Sequence, residues 1–180
     1  NYYKGIISKI FRHIGDIMKF RMVGIKKHSV VDGSGVRLVI FFQGCPHHCM
    51  ECHNPDTWDP NGGDESDTDE IIEIIKNTKY IDGITLSGGD PLFQPEAAIL
   101  IAKAAKEIGL SVWCYTGWTY DEVMADEKRS AVMKYVDVLV DGPFMINLKS
   151  QDVIYRGSSN QRLVDVQASM KSGIIKVISK

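Results

Sequence analysis

The sequence predicts a parallel α/β fold. Two observations carry that expectation. Short runs of β-branched and aromatic residues alternate with helix-periodic segments along the chain. The segments of unusual composition also fall directly after those runs, where loops at the C-terminal ends of parallel strands collect chemistry.

Taken in order, Ile6, Ile7, Ile10, Phe11, Ile14 and Ile17 recur at helical spacing and predict an amphipathic helix over 4–18. Residues 1–20 are therefore read as an N-terminal helical extension and 21–180 as the core domain. The helix is read as packed on its own domain, with a partner-docking arm as the alternative. An extended piece, FRMVGIKKHSV, leads to the turn VDGSGVR, where Gly33 and Gly35 permit backbone angles closed to other residues. VRLVIFF (36–42) is apolar apart from Arg37 and fits a strand buried on both faces.

A cysteine-rich loop follows, and then DPNGGDESDTDE, whose carboxylates suit a solvated helix start better than a metal site. DEIIEIIKNTK is the helix that it opens. IDGITLS (81–87) is the next strand and GGDPL its turn. PEAAILIAKAAKEIG is a helix, with Pro95 in the first turn and Gly109 just past the end. LSVWCYT (110–116), the short helix TYDEVMAD, the strand VDVLVDG (136–142) and a last strand GIIKVIS complete the alternation.

At 180 residues, with 44% apolar and 24% charged side chains, one domain with a sizeable core is expected. A formal net charge of −2 gives no basic field, so nucleic acid is not expected as a partner. The longest apolar runs are too short to cross a bilayer, so no membrane partner is expected either. NYYKGIISKIFRHIGDIMKF scatters charges among apolar positions, unlike a signal peptide. A cytoplasmic placement is therefore expected, in which thiols stay reduced and clustered cysteines mean metal or redox chemistry.

Three of the four cysteines, Cys45, Cys49 and Cys52, lie in GCPHHCMECHNPDTWD, spaced C-x₃-C-x₂-C. Spacers this short put three sulfurs on one concave face. A structural zinc ion would want a fourth ligand, from His47, His48 or His53, and usually a second ligand pair that this chain lacks. An iron–sulfur cubane held by three cysteines instead leaves one iron open, and an open iron needs a neighbouring pocket for its extra ligand. SGGD (87–90) offers one: Gly88 and Gly89 let backbone approach a ligand, and Asp90 can accept from an ammonium. YTGW and VDGPF at neighbouring strand ends add hydroxyl, carboxylate and aromatic groups to the same rim.

The cysteine spacing after an apolar strand, with a Gly-Gly-acid turn after the next strand, resembles the radical S-adenosylmethionine (SAM) superfamily. VDGSGVRLVIFFQGC is similar to the DGPG-containing opening of glycyl-radical-enzyme activases. CHNPDTWD, LSGGDPL, WCYTGW, DVLVDGPF and YRGSSNQR further resemble the activases of anaerobic ribonucleoside-triphosphate reductase, over roughly residues 22–165. The resemblance implies an incomplete parallel (β/α) barrel, open on one side to a loop of another protein. It implies a [4Fe-4S] cluster on Cys45, Cys49 and Cys52, and SAM held by Gly88, Gly89 and Asp90. Thr116 and Asp141 would be further SAM contacts, and Asn160 and Arg162 match a stretch that lines the site. The implied reaction is reductive cleavage of SAM to a 5′-deoxyadenosyl radical, which takes a hydrogen atom from a glycine of the reductase large subunit. A flavodoxin- or ferredoxin-like donor would supply the electron.

Ser34 replaces the proline of DGPG, Asp90 the more usual glutamate, and Glu51 an aromatic residue common before the third cysteine. Activation of another glycyl radical enzyme, such as pyruvate formate-lyase, is the nearest alternative function. A non-enzymatic iron–sulfur electron carrier and a zinc-stabilised interaction module are the alternatives from other classes. Among the remaining residues, His47 and His48 are read as solvent-facing, and His53 as a hydrogen-bond partner of a cluster sulfur or of SAM. Cys114 is read as a small core residue, and Trp113 and Trp118 as packing residues. Arg37 either pairs at the rim or contacts a carboxylate.

Overall fold

The computed structural model describes residues 18–179. The helix expected over 4–18 therefore falls almost wholly outside the described residues, and Lys19 and Phe20 already belong to the first strand. Eight strands form one sheet, β1 (Lys19–Ser29), β2 (Arg37–Phe42), β3 (Asp64–Asp67), β4 (Gly83–Gly88), β5 (Ser111–Tyr115), β6 (Val138–Asp141), β7 (Arg162–Asp165) and β8 (Lys176–Val177), in the order β3-β1-β2-β4-β5-β6-β7-β8. The helices are α1 (Thr68–Asn77), α2 (Pro95–Glu107), α3 (Tyr120–Ala125), α4 (Glu127–Met133) and α5 (Val166–Ser172).

The expected parallel sheet is present at its centre, where β2, β4, β5 and β6 run parallel. The flanks are different. β1 is antiparallel to both β2 and β3, β7 is antiparallel to β6, and β8 to β7, so the sheet is mixed. The parallel neighbours are joined through helices, which return the chain to the same end of the sheet. β1 reaches β2 through the turn 30–36, and no helix intervenes to restore a parallel direction.

Side-chain parity assigns the two faces. Leu38, Ile40 and Phe42 of β2, Ile84 and Leu86 of β4, Val112 and Cys114 of β5 and Leu139 of β6 share one core with Ile71, Ile75, Ala98, Ile101, Ala105, Val132 and Met133 of the helices. Complete burial of one such aliphatic or aromatic side chain is worth roughly 1.5–3 kcal/mol. The alternate residues (Arg37, Val39 and Phe41; Gly83, Thr85 and Ser87; Ser111, Trp113 and Tyr115) face the other way in matched register. That second face carries a smaller cluster, Trp113, Val138, Val140 and Leu163, to which no helix among the described residues contributes.

Local signals explain the helix ends. Thr119 and Glu122 form a reciprocal capping box at α3. Asp126 and Asp165 cap α4 and α5 through their side chains. Gly173, at φ +69, ends α5 in the left-handed conformation. The GIIKVIS segment yields only the two-residue β8, and the described residues contain no helix long and apolar enough to cross a membrane.

Candidate functional site

The C-terminal ends of β2, β4, β5 and β6 open onto the loops 43–63, 89–94, 116–119 and 142–161. These loops enclose a cavity of about 260 Å³ on the face away from the helices. Cys45, Cys49, Cys52, His53, Gly88, Gly89 and Thr116 all line it. Asp32, Phe41, Tyr115, Phe144 and Gln161 line it as well; they lie within the quoted motifs, though none was named there as a site residue.

The cysteine loop is shaped by backbone. His48 (φ 47) and Glu51 (φ 54) adopt left-handed angles, each immediately before a cysteine. The chain therefore turns sharply twice and keeps the three thiols on the cavity side. The Cys52 N–H donates to Cys49 O at 3.1 Å, and the Cys45 N–H to Trp58 O at 3.2 Å, which ties both ends of the loop.

Burial pushes the Cys45 thiol up to about 11, opposed by the backbone N–H groups of His47 and His48. Burial also raises the Cys49 thiol, opposed by the Phe144 N–H from the loop after β6. The Asn54 N–H donates to Cys52 Sγ at 3.4 Å. Each sulfur thus has a backbone donor, the arrangement that tunes sulfur ligands of a cluster. A compact single-ion site fits less well, since among the described residues no three His, Cys, Asp or Glu side chains converge as such a site requires. A cubane takes one thiolate per iron corner and holds the thiolates apart.

The SGGD turn seats against the cysteine loop through its own backbone. The Gly89 N–H donates to Phe42 O and the Asp90 N–H to Gly44 O, both at 2.8 Å. Gly88 has φ +104, and a Cβ on Gly89 would lie 2.4 Å from Gly44 O. The glycines therefore allow this turn and the cysteine loop to approach each other.

Asp90 does not line the cavity. It is fully buried, and its carboxylate is consumed by the protein. Oδ1 accepts from the Leu92 N–H at 2.9 Å. Oδ2 accepts from Thr116 Oγ1 at 2.8 Å, the Gly117 N–H at 2.9 Å and His47 Nε2 at 2.9 Å. Four donors thus meet the carboxylate, three of them on Oδ2 and one on Oδ1. Asp90, expected to accept from an ammonium, is here met by four donors of the protein and holds the walls of the cavity from behind.

Asp141, Asn160 and Arg162 also lie off the cavity. Asp141, buried at the end of β6, accepts from Arg162 Nε at 3.0 Å and Nη2 at 2.5 Å, and from the Tyr120 N–H at 2.7 Å. Since Asp141 and Arg162 are also paired in the β6–β7 ladder, this ion pair fixes the direction in which the chain leaves β6. Hydrogen bonding to Asp141 raises the Arg162 pKa further. Asn160 Nδ2 donates to Pro143 O at 2.8 Å and so supports the loop that carries Phe144.

The histidines divide. His53 is exposed at the cavity wall with its ring 5.1 Å from that of Phe144. His48 is exposed and stacks on Trp58. His47, expected to face solvent, is instead half-buried against Asp90 and set edge-on to Trp118 at 4.4 Å. Nothing in its local sequence showed this, because its partner is 43 residues away.

Arg37 lies below the cavity floor and is 1% exposed. It donates to Thr85 Oγ1, Ser34 O, Ser111 Oγ, Ser111 O and Ile84 O, and its guanidinium lies 5.6 Å from the Trp113 ring. Neither expected role, a rim ion pair or a carboxylate contact, appears among these bonds. Burial pushes its pKa down to about 10, which still leaves it charged at neutral pH. Thr85, in turn, donates to Asp32 O at 2.7 Å and holds the floor turn.

An α/β sheet with three thiols and two glycine-rich turns around one strand-end cavity defines an iron–sulfur class. Residues 31–164 match the family described as the 4Fe-4S single cluster domain. The anaerobic ribonucleoside-triphosphate reductase-activating protein of Escherichia coli (strain K12) is 39% identical over 141 residues, covering 74% of this chain and 90% of that protein. The protein of the same description from Enterobacteria phage T4 is 35% identical over 139 residues, covering 74% and 86%. The chain belongs to this family of anaerobic ribonucleoside-triphosphate reductase-activating proteins. Among solved structures, QueE from Escherichia coli superposes with a TM-score of 0.48 at 16% identity, over 57% of this chain and 54% of QueE.

Proposed function

We propose that this chain is a radical SAM activase that generates a glycyl radical on anaerobic ribonucleoside-triphosphate reductase. The observation that carries the reading is the meeting of Cys45, Cys49 and Cys52 with Gly88, Gly89 and Thr116 on one cavity. Cys45, Cys49 and Cys52 would hold a [4Fe-4S] cluster, and the space beside them would take the methionine end of SAM. With one electron from a reduced donor, the bound cluster and SAM would supply reductive cleavage of the sulfonium to methionine and a 5′-deoxyadenosyl radical, able to take a hydrogen atom from a glycine Cα of the partner.

The residues of this chain bind, orient and exclude water. Backbone donors at His47, His48, Asn54 and Phe144 tune the sulfurs. Gly88 and Gly89 admit the ligand against the end of β4. His53 and Phe144 wall the cavity at its exposed side, and His53 would hydrogen-bond a cluster sulfur or SAM. Asp141, Arg162 and Asn160 act indirectly, by fixing the loop after β6.

The reading extends to features beyond the cavity. The mixed sheet would curve as an incomplete barrel whose uncovered face admits a backbone loop of the reductase large subunit. Residues 1–20 would be an extension outside the 21–180 core. The electron donor would be flavodoxin- or ferredoxin-like, and the setting cytoplasmic, with neither nucleic acid nor membrane as partner.

The test is to reconstitute the protein anaerobically, reduce it, add SAM and the purified reductase, and record electron paramagnetic resonance. A glycyl radical on the reductase is expected, and Ala at Cys45, Cys49 or Cys52 abolishes it. A radical on pyruvate formate-lyase alone, or a reduced cluster spectrum indifferent to SAM, overturns the reading.

A further inference from the structure

His47 belongs to no cysteine spacing and no glycine turn, yet it is the one side chain of the cysteine loop that reaches the buried carboxylate behind the cavity. Its Nε2 lies 2.9 Å from Asp90 Oδ2, and its side chain is 16% exposed. A carboxylate only accepts, so Nε2 is assigned as the donor. The same oxygen receives the Thr116 hydroxyl and the Gly117 N–H. One buried atom thus gathers the loop after β2, the turn after β4 and the turn after β5.

The fit around the imidazole is built to hold it there. A Cβ on Gly117 would lie 2.4 Å from His47 Cδ2, so only glycine leaves room for the ring. Trp118 meets the ring in a T-shaped contact at 4.4 Å, and Arg129 of α4 lies over Trp118, its Cζ 3.8 Å from the ring centroid. The stack Arg129–Trp118–His47–Asp90 therefore runs from an outer helix to the wall of the cavity.

We infer that His47 is a positioning residue that sets the cysteine loop at a fixed distance from the Thr116 wall, and thereby aligns the cluster's open corner with the amino-acid end of SAM. This rests on the reading of the cavity as a cluster and SAM site. The inference makes two separable statements: His47 is not needed to assemble the cluster, and it is needed for SAM to meet it correctly. A preformed hydrogen bond to a buried carboxylate removes loop freedom that SAM binding would otherwise have to remove.

Three variants test this. Gln places its amide nitrogen near the position of imidazole Nε2, whereas Asn reaches only as far as Nδ1, and Ala reaches neither. Reconstituted parent, His47→Gln, His47→Asn and His47→Ala are compared by iron and sulfide content, by SAM titration at equilibrium, and by electron paramagnetic resonance of the reduced cluster with and without SAM. Iron and sulfide equal to the parent are expected in all four. SAM affinity should fall about tenfold in Asn and Ala and stay within about threefold of the parent in Gln. The SAM-induced spectral change should be altered in Asn and Ala and restored in Gln.

Parent-like SAM affinity and spectra in Asn and Ala overturn the positioning role and leave the activase reading standing. Loss of the cluster in Gln as well as in Asn and Ala overturns it too, since His47 would then serve the cluster or the fold. Should Ala fail to fold, the Gln–Asn difference decides. A parent spectrum that SAM leaves unchanged removes the activase reading itself, and the inference falls with it.

Discussion

Replacing Asp90 by Asn keeps shape and volume and removes one acceptor oxygen from a site with four donors pointed at it. Two of those donors can adapt. The Thr116 hydroxyl can rotate, and His47 can change tautomer and accept from the new amide. The other two are backbone N–H groups at 2.9 Å, Gly117 on Oδ2 and Leu92 on Oδ1, and neither can turn. Whichever way the amide is flipped, its NH₂ faces one of them. One buried N–H is orphaned at a cost of roughly 1–3 kcal/mol, and the surviving bonds lose their charge assistance, so the expected total is about 3 kcal/mol.

Urea denaturation of parent and Asp90→Asn, each with and without reconstituted cluster, measures that cost. With a slope of roughly 2–3 kcal/mol per molar, the midpoint should fall by about 1–1.5 M with the slope unchanged. A midpoint within about 0.2 M of the parent would show that Asp90 does not hold the four donors described above, and would refute the reasoning.

Gly89→Ala sets a methyl 2.4 Å from Gly44 O and 2.9 Å from Thr57 O, both backbone atoms, so thermal denaturation should show a loss of about 1–3 kcal/mol together with lower cluster content. Arg37→Met leaves the carbonyls of Ser34, Ile84 and Ser111 without their buried donor; a loss of about 3–5 kcal/mol by urea denaturation is expected, and Lys does not restore it because its three donors cannot fork. The buried Cys114 thiol is held well above its ordinary 9.0, chiefly by desolvation and further by the charge of Asp90. The folded state therefore holds this proton more tightly than the unfolded chain, so its contribution to stability is complete below about pH 9 and declines as pH rises above that. Cys114→Val should flatten the alkaline fall of the denaturation midpoint relative to the parent between about pH 9 and 10.5, and parallel curves would refute this.

The centre of the fold was legible because VRLVIFF, GITLS, VWCY and VLVD pack apolar and β-branched residues into strand-length runs between capped helices. Its flanks were not. DESD carries no strand signal, and becomes β3 because Lys19–Met22 offers it a paired edge. RLVD is too short to distinguish from a loop, and its antiparallel direction follows from the long return through 142–161. In the site, cysteine spacing and glycine pairs are local and survive in one dimension. The partners of Asp90, Asp141 and Arg37 are not, because hydrogen bonds closed by tertiary contact leave no periodicity in the sequence. The acidic residue of SGGD was thus found by its motif, while what it does was visible only once His47, Thr116 and Gly117 had been brought to it.

The two left-handed residues of the cysteine loop impose a rule on any library built there. Positions 48 and 51 are defined by their backbone angles and not by the chemistry of His and Glu. Selection for an intact loop should enrich Gly, Asn and Asp at both and purge Val, Ile and Thr, whose branched Cβ resists positive φ. The side chains displayed around the thiols could then be rewritten, and with them the surface beside the cavity, while the thiols stayed where the backbone puts them.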